Sequence, residues 1–332
     1  MIRLYARDDN RLATLGDAAP MSLPAERLAA VAWFDLVEPT PEEGRFVARR
    51  LGVAIPTREE MEEIEPSARL YSEDGAEFMT VTAVTNIDTD EPMKTPVTFI
   101  LKGSTLVTVR YAEPRPFVIF AARAQRPGAT PCGTGELAML GLIEAMIDRI
   151  ADALERVGNE VDGLSHAIFR SKGGTAKRKS ADLQSVIEQI GRRGELLTMA
   201  RESLVSVNRL LTYHAAVDAG DRKAGKDARQ KAKVLLRDTV SLGDHAGFLS
   251  GKINFLLDAT LGLINLEQNQ IIKIFSVAAV VFLPPTLVAS IYGMNFEAMP
   301  ELKWALGYPW AIGLMVVSAI MPYLYFKRRG WL

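Results

Sequence analysis

Residues 271–295 read IIKIFSVAAVVFLPPTLVASIYGMN, an apolar run closed by Gly293-Met294-Asn295. A short turn follows, Phe296-Glu297-Ala298-Met299-Pro300-Glu301-Leu302-Lys303, and a second apolar run begins at Trp304. It ends at Phe326 and gives way to Lys327-Arg328-Arg329-Gly330-Trp331-Leu332. No charged residue occurs in 274–296 or in 304–326. Each run is therefore about 23 residues long, and about 20 helical residues cross a hydrocarbon core. The pattern predicts a helical hairpin with spans at about 272–292 and 306–326, and hence a membrane protein lying in a lipid bilayer.

Upstream of the first span the chain shows no proline from Lys226 until Pro284-Pro285. A helix continuous to Tyr292 would hold about 67 residues and reach roughly 100 Å at 1.5 Å per residue. That exceeds one membrane crossing, so span and stalk are read as one object that stands clear of the bilayer. Leu235, Leu242, Leu249, Leu256 and Leu263 recur every seven residues, the period of a seam between long helices. Gly243, Gly247 and Gly251 recur every four and suggest a close backbone approach on another face. Two further helical runs precede this one, residues 136–169 and about 177–214, each stopped by glycine-containing polar segments.

The first 130 residues differ in texture. Residues 31–37, VAWFDLV, predict a strand, and residues 41–51 a short helix with proline in its first turn. Residues 77–87 and 96–111 are rich in Val, Thr, Phe and Ile, the latter broken by Lys102-Gly103-Ser104 as in a hairpin. Neither a Gly-rich phosphate loop nor a nucleophile elbow is present, and the chain is not read as an enzyme. The fold class is thus an α/β cytoplasmic domain over residues 1–130, a long-helix funnel or stalk over 131–270, and two C-terminal transmembrane helices within 271–332.

Composition sets further bounds. The chain has 332 residues, 48% hydrophobic and 24% charged, with net charge −1. These averages look soluble only because a large charged remainder dilutes the two spans. Near-neutrality without a basic stripe argues against a nucleic-acid partner. The single Cys132 excludes an internal disulfide and a Cys-rich metal site, and His166, His214 and His245 are too widely spaced to suggest a metal cluster. The opening MIRLYARDDN lacks the apolar core of a signal peptide, so the N-terminal part is expected to stay where it is made. Lys273 and Lys327-Arg328-Arg329 flank the hairpin, whereas the turn carries Glu297, Glu301 and Lys303. Positive residues favour the cytoplasmic side, which puts both termini inside and the turn outside.

Tyr292-Gly293-Met294-Asn295-Phe296, Met299-Pro300-Glu301-Leu302, Gly307-Tyr308-Pro309 and Tyr325-Phe326-Lys327-Arg328 resemble the CorA family of magnesium channels. The likeness is dense from about Lys252 to the C-terminus and looser before it. The resemblance implies a homopentamer in the inner (plasma) membrane that passes divalent cations inward passively, Mg2+ foremost, with Co2+ and Ni2+ as further ions. It implies that the first span lines the pore, with Asn269, Ile272, Phe275, Leu283, Thr286 and Asn295 along the path. It also implies that Mg2+ is both cargo and regulator, with no organic cofactor. Carboxylates between neighbouring cytoplasmic domains would then hold the pore closed when internal Mg2+ is plentiful. Candidates for them are Asp88, Asp90 and Glu91 in the first domain and Asp238 and Asp244 on the stalk.

The residues themselves agree with that expectation. Positions 269, 272, 276, 279, 283, 286 and 290 share one helical face and alternate polar with apolar rings, as a path with wetted and dewetted zones requires. Magnesium dehydrates reluctantly, and a ring of Asn295 amide oxygens would accept hydrogen bonds from its waters without stripping them. Gly293 would allow a sharp turn or close packing, and Met294 would pack, because a thioether is too soft a ligand for magnesium. Gly293, Met294 and Asn295 together form the candidate selectivity filter. Glu297 and Glu301, repeated around a ring, would concentrate cations at the mouth, or serve as ordinary loop charges. Two rivals stay open: a zinc transporter of the same superfamily, and a membrane-anchored coiled-coil scaffold without transport.

Overall fold

The computed structural model describes residues 1–8, 11–15, 23–126, 132–170, 176–221, 225–295 and 299–330. They form two compact units, one of Met1–Ser171 with Val186–Leu256, the other of Lys172–Ser185 with Leu257–Leu332.

The first unit is built on a seven-stranded sheet of order β2-β1-β3-β7-β6-β5-β4. The strands are β1 Ile2–Asp8, β2 Arg11–Thr14, β3 Val31–Val37, β4 Leu70–Glu73, β5 Ala76–Thr85, β6 Met93–Lys102 and β7 Thr105–Arg110. Every neighbouring pair is antiparallel except β3 and β7, which run parallel with Trp33 opposite Leu106. Side chains alternate across the pleat. Val97, Phe99 and Leu101 of β6 join one core with Trp33, Met79 and Val81, while Ile100 joins another with Phe34, Leu36, Phe78 and Val107.

Helices cover both faces. The core around Trp33 is closed by α5 Arg115–Ala124 and α6 Gly135–Arg170, with Val207, Leu210 and Leu211 of α7 Ala176–Asp221 and Leu235 of α8 Lys226–Tyr292. The core around Phe34 is closed by Leu28 of α1 Ala25–Ala29, Val47 of α2 Pro41–Leu51 and Met61 of α3 Arg58–Glu62. Helices α2 and α3 each begin with a capping box, Thr40 with Glu43 and Thr57 with Glu60. Helix α4 Pro66–Arg69 leads into β4. Gly135 opens α6 against the β6–β7 hairpin, where a Cβ would stand 2.4 Å from the Leu106 nitrogen. Only glycine fits there.

Two buried charge networks tie the elements. Asp35 of β3 accepts from Arg110 Nε at 2.9 Å and Nη2 at 2.8 Å, and from Thr108 Oγ1 at 2.8 Å. Trp33 Nε1 donates to Thr108 at 2.9 Å, and the guanidinium lies 4.7 Å from the Phe117 ring centroid. This network spans the parallel pair β3–β7. His214 of α7 sits between Glu77 of β5, 2.7 Å from Nδ1, and Glu136 of α6, 3.3 Å from Nε2. Burial lowers the imidazole pKa, but hydrogen bonds to Glu136 and Glu77 and their charges outweigh it and raise it to about 9. The clamp is cationic at its centre near neutral pH.

The long helix is continuous from Lys226 to Tyr292, 67 residues with Pro284 and Pro285 inside it. Of the leucine heptad, Leu235, Leu249 and Leu256 are buried. The glycine row behaves otherwise. A Cβ on Gly243, Gly247 or Gly251 would meet nothing within 4 Å, so among the described residues no close backbone approach occurs there. Helix α7 runs past the expected helical run to His214 and ends at Asp221, within the glycine-containing segment 219–221 expected to stop it.

Candidate functional site

In the second unit the end of α8, a 3₁₀ turn over Pro300–Lys303 and α9 Gly307–Arg328 make two helices long and apolar enough to cross a membrane. Apolar side chains lie bare on them: Phe275 is 71% exposed, Phe282 70% and Met321 69%. Water does not tolerate such continuous apolar surface, so lipid or other protein must cover it. Val277 and Ala311 are the buried apolar side chains of the two spans among the described residues. Trp304 and Trp310, with ring centroids 6.4 Å apart, mark one end of α9. Tyr325, with Arg329 5.6 Å from its centroid, marks the other. Aromatic residues at both ends match the two interfaces of a bilayer.

The helix stops where Gly293-Met294-Asn295 begins. Gly293 N–H donates to Ala289 O at 3.0 Å and Met294 N–H to Ile291 O at 3.3 Å. Gly293 is not among the positive-φ residues, so left-handed freedom is not what the position needs. A Cβ there would come 3.1 Å from the Ala289 carbonyl oxygen, a tight contact that a side chain could make only if the backbone gave by a few tenths of an ångström. Met294 is 46% exposed and Asn295 is exposed. Glu297 lies outside the described residues, and Glu301 falls in the 3₁₀ turn.

Asn269, Ile272, Phe275, Leu283 and Thr286 are all exposed on α8. Exposure alone does not separate a pore face from a lipid face, because nearly the whole first span is bare in one chain. Thr286 carries a more specific feature. Its hydroxyl donates to Phe282 O at 2.8 Å, just after the two prolines. With its proton turned into the helix, the Thr286 oxygen keeps lone pairs for an outside donor such as the water shell of a cation.

In the first unit the acidic candidates have unequal surroundings. Asp88 accepts from Arg115 Nη1 at 2.8 Å, pairs with Arg156 Nη2 at 2.7 Å and contacts Arg149. A carboxylate held by three guanidinium groups has neither free oxygens nor a favourable field for a cation. Asp90 lies 3.6 Å from Arg192, Glu91 is exposed, and Asp244 is exposed on α8. Asp238 is half-buried and shares a field with Asp148 of α6. Burial raises the Asp148 pKa, and the charges of Glu144, Asp152 and Asp238 raise it further against Arg123. Among the described residues no three His, Cys, Asp or Glu side chains converge as a metal site requires. The Asp148–Asp152 spacing of four on one helix, a like-charge pair, was the sequence signal for this acidic field.

The comparisons with known proteins agree in kind. Residues 29–328 match the model of the CorA-like Mg2+ transporter protein family. The chain is 37% identical over 332 residues to the magnesium transport protein CorA of Escherichia coli (strain K12), covering 100% of both chains. It is 39% identical over 311 residues to that of Yersinia pseudotuberculosis serotype I (strain IP32953), covering 93% of this chain and 94% of the relative. Its fold is similar to the complete structure of the CorA magnesium transporter from Methanocaldococcus jannaschii, with TM-score 0.73 at 18% identity, covering 100% of this chain and 99% of the other.

Proposed function

We propose, because the chain belongs to the CorA-like Mg2+ transporter family, that it transports Mg2+ as a passive homopentameric channel. The family consists of transporters, not enzymes. The observation that carries the reading is the exposed Asn295 at the end of an apolar span, directly after Gly293 and Met294 and before a second span. One hairpin encloses no aqueous path, so several copies must surround it, and a ring of Asn295 amides then meets the hydrated ion. Inward flow across the inner membrane is driven by the potential, about 2.3 kcal/mol per unit charge per 100 mV. Asn269 and Thr286 would be polar rings on this path, and Ile272, Phe275 and Leu283 its apolar constrictions. Residues 1–130 and 131–270 would then serve as the cytoplasmic domain and stalk, with 271–332 as the pore. Co2+ and Ni2+ would pass by the same water-mediated recognition.

Internal Mg2+ is proposed to gate the pore through carboxylates contributed by neighbouring copies. Asp238, with Asp148 and Asp152, suits this role, because a cation relieves their mutual repulsion. Asp90, Glu91 and Asp244 remain open partners, whereas the three arginines around Asp88 disfavour it.

The test is ion entry into proteoliposomes loaded with a magnesium dye, for wild type and Asn295→Ala, repeated with zinc with and without a proton gradient. Fast Mg2+ entry, reduced at least about tenfold in Asn295→Ala by loss of the water-binding ring, is the expected result. Proton-dependent zinc entry with little Mg2+ entry would overturn it.

A further inference from the structure

The first unit contains a groove of about 1120 Å³ that the transport reading does not use. Its floor is β5 and β6, with α7 as one wall and α8 and the segment before β4 completing it. Strand β4 pairs with β5 only as far as Met79, so the edge of β5 runs on without a strand partner. An added strand is nevertheless excluded, because Thr82 N–H donates to Ser206 Oγ of α7 at 3.0 Å and the helix closes that edge. The space suits a small molecule.

Its charge has one sign once the pairs are removed. The two lining acids are both engaged, Glu202 with Lys94 at 2.6 Å and Glu62 with Arg58 at 3.0 Å. Arg69 donates to Glu63 O at 2.6 Å and Thr82 Oγ1 at 3.3 Å. Arg201 and Arg209 remain, and among the described residues no carboxylate lies within ion-pair distance of either. With Val205 they stand at four-residue spacing, a single stripe of α7, so the two guanidinium groups are based about 12 Å apart along the axis. At the floor, Thr95 is only 8% exposed, and what remains exposed of it faces the groove that it lines. A hydroxyl at that position is open to the groove, where it can donate to an oxygen of a bound molecule. No aromatic side chain lines the groove, and nothing in it would stack a base.

We propose that this groove binds a small polyphosphate, free or as part of a phosphorylated metabolite, through Arg201, Arg209 and the Thr95 hydroxyl. Guanidinium groups suit phosphate oxygens because their planar donors engage two oxygens at once. The lining reads the phosphate chain and not the group attached to it. This proposal does not rest on the transport reading, because binding is measured without ion flux.

The experiment is isothermal titration of the full chain, in lipid nanodiscs and magnesium-free buffer, with sodium tripolyphosphate and separately with ATP. A single saturable event of similar affinity for both ligands is expected. Arg201→Ala and Arg209→Ala should each weaken it about tenfold, while Arg49→Ala, an exposed arginine of α2 outside the groove, leaves it unchanged. Thr95→Val should weaken it about threefold, and Thr95→Ser should retain it. Arg201 and Arg209 are exposed, so their variants keep the fold, which thermal melting verifies. Absence of saturable binding, equal weakening by Arg49→Ala, or binding of ATP without tripolyphosphate would each overturn the proposal.

Discussion

His214 illustrates what a single side chain does that no local pattern announces. Its ring joins β5, α6 and α7 through Glu77 and Glu136, residues that adjoin only once the sheet and helices have packed. The sequence showed three scattered histidines and no reason to pair one with two acids. The sign of its contribution follows from its pKa of about 9 in the fold against 6.5 when free. The folded state binds the proton more tightly, so the stabilisation is complete below about pH 6.5 and is lost as pH rises through about 9. The gap corresponds to about 3 kcal/mol. The thermal midpoint of the full chain in detergent should therefore fall between pH 7 and 10. His214→Gln should lower it at pH 7 and flatten that fall; a mutant profile parallel to wild type would assign the pH dependence to other groups. Asp88 makes the same point in reverse. As an acid in a loop it read as a metal ligand, and only the packing of α5 and α6 brings Arg115, Arg149 and Arg156 onto it.

Individual elements were legible where a local rule governs them. Val31–Val37 and Pro41–Leu51 were readable because one is a buried run of β-formers and the other starts with Thr-Pro and ends before Gly52. The order of the strands was not, since placing β3 beside β7 depends on contacts such as Asp35–Arg110 between residues far apart in the chain. Helix α8 combines both situations. Its stalk was legible from the lack of proline between Lys226 and Pro284, and its leucine heptad marked a buried seam, but the glycine row faces open space in one chain. The seam and the outer face should respond differently to truncation. Leu249 is 3% exposed and its Cδ2 would lie 3.7 Å from a Cβ placed on Gly158 of α6, so Leu249→Ala should cost about 3 kcal/mol in unfolding free energy. Phe248, next to it and 66% exposed, should leave the midpoint of unfolding of a dissociated chain nearly unchanged when replaced by Ala. If copies surround one another along α8, Phe248→Ala should instead shift the protein in detergent toward smaller oligomers, measured by light scattering. A large loss of stability in Phe248→Ala at unchanged oligomeric mass would show that the helix buries the opposite face.

The whole molecule is governed by an imbalance that its composition hides. The averages of a nearly neutral chain with 24% charged residues describe a soluble protein, yet the charges avoid two runs of about 23 residues altogether. Such a distribution leaves a bare hairpin that only a bilayer and further protein can cover. Its orientation is then set by the charges at its ends. Lys273 and Lys327-Arg328-Arg329 flank the hairpin and the turn carries Lys303, and basic residues resist translocation more than acidic ones do. Cys132, the only cysteine, is 3% exposed and burial raises its thiol pKa, so the native chain offers a low background to thiol reagents. Lys303→Cys and Glu26→Cys can therefore report on the two sides separately in intact cells treated with a membrane-impermeant maleimide. Lys303→Cys should label without permeabilisation, and Glu26→Cys only after it. Labelling of Glu26→Cys in intact cells, with Lys303→Cys silent, would invert the hairpin and direct the Asn295 end of the first span toward the cell interior.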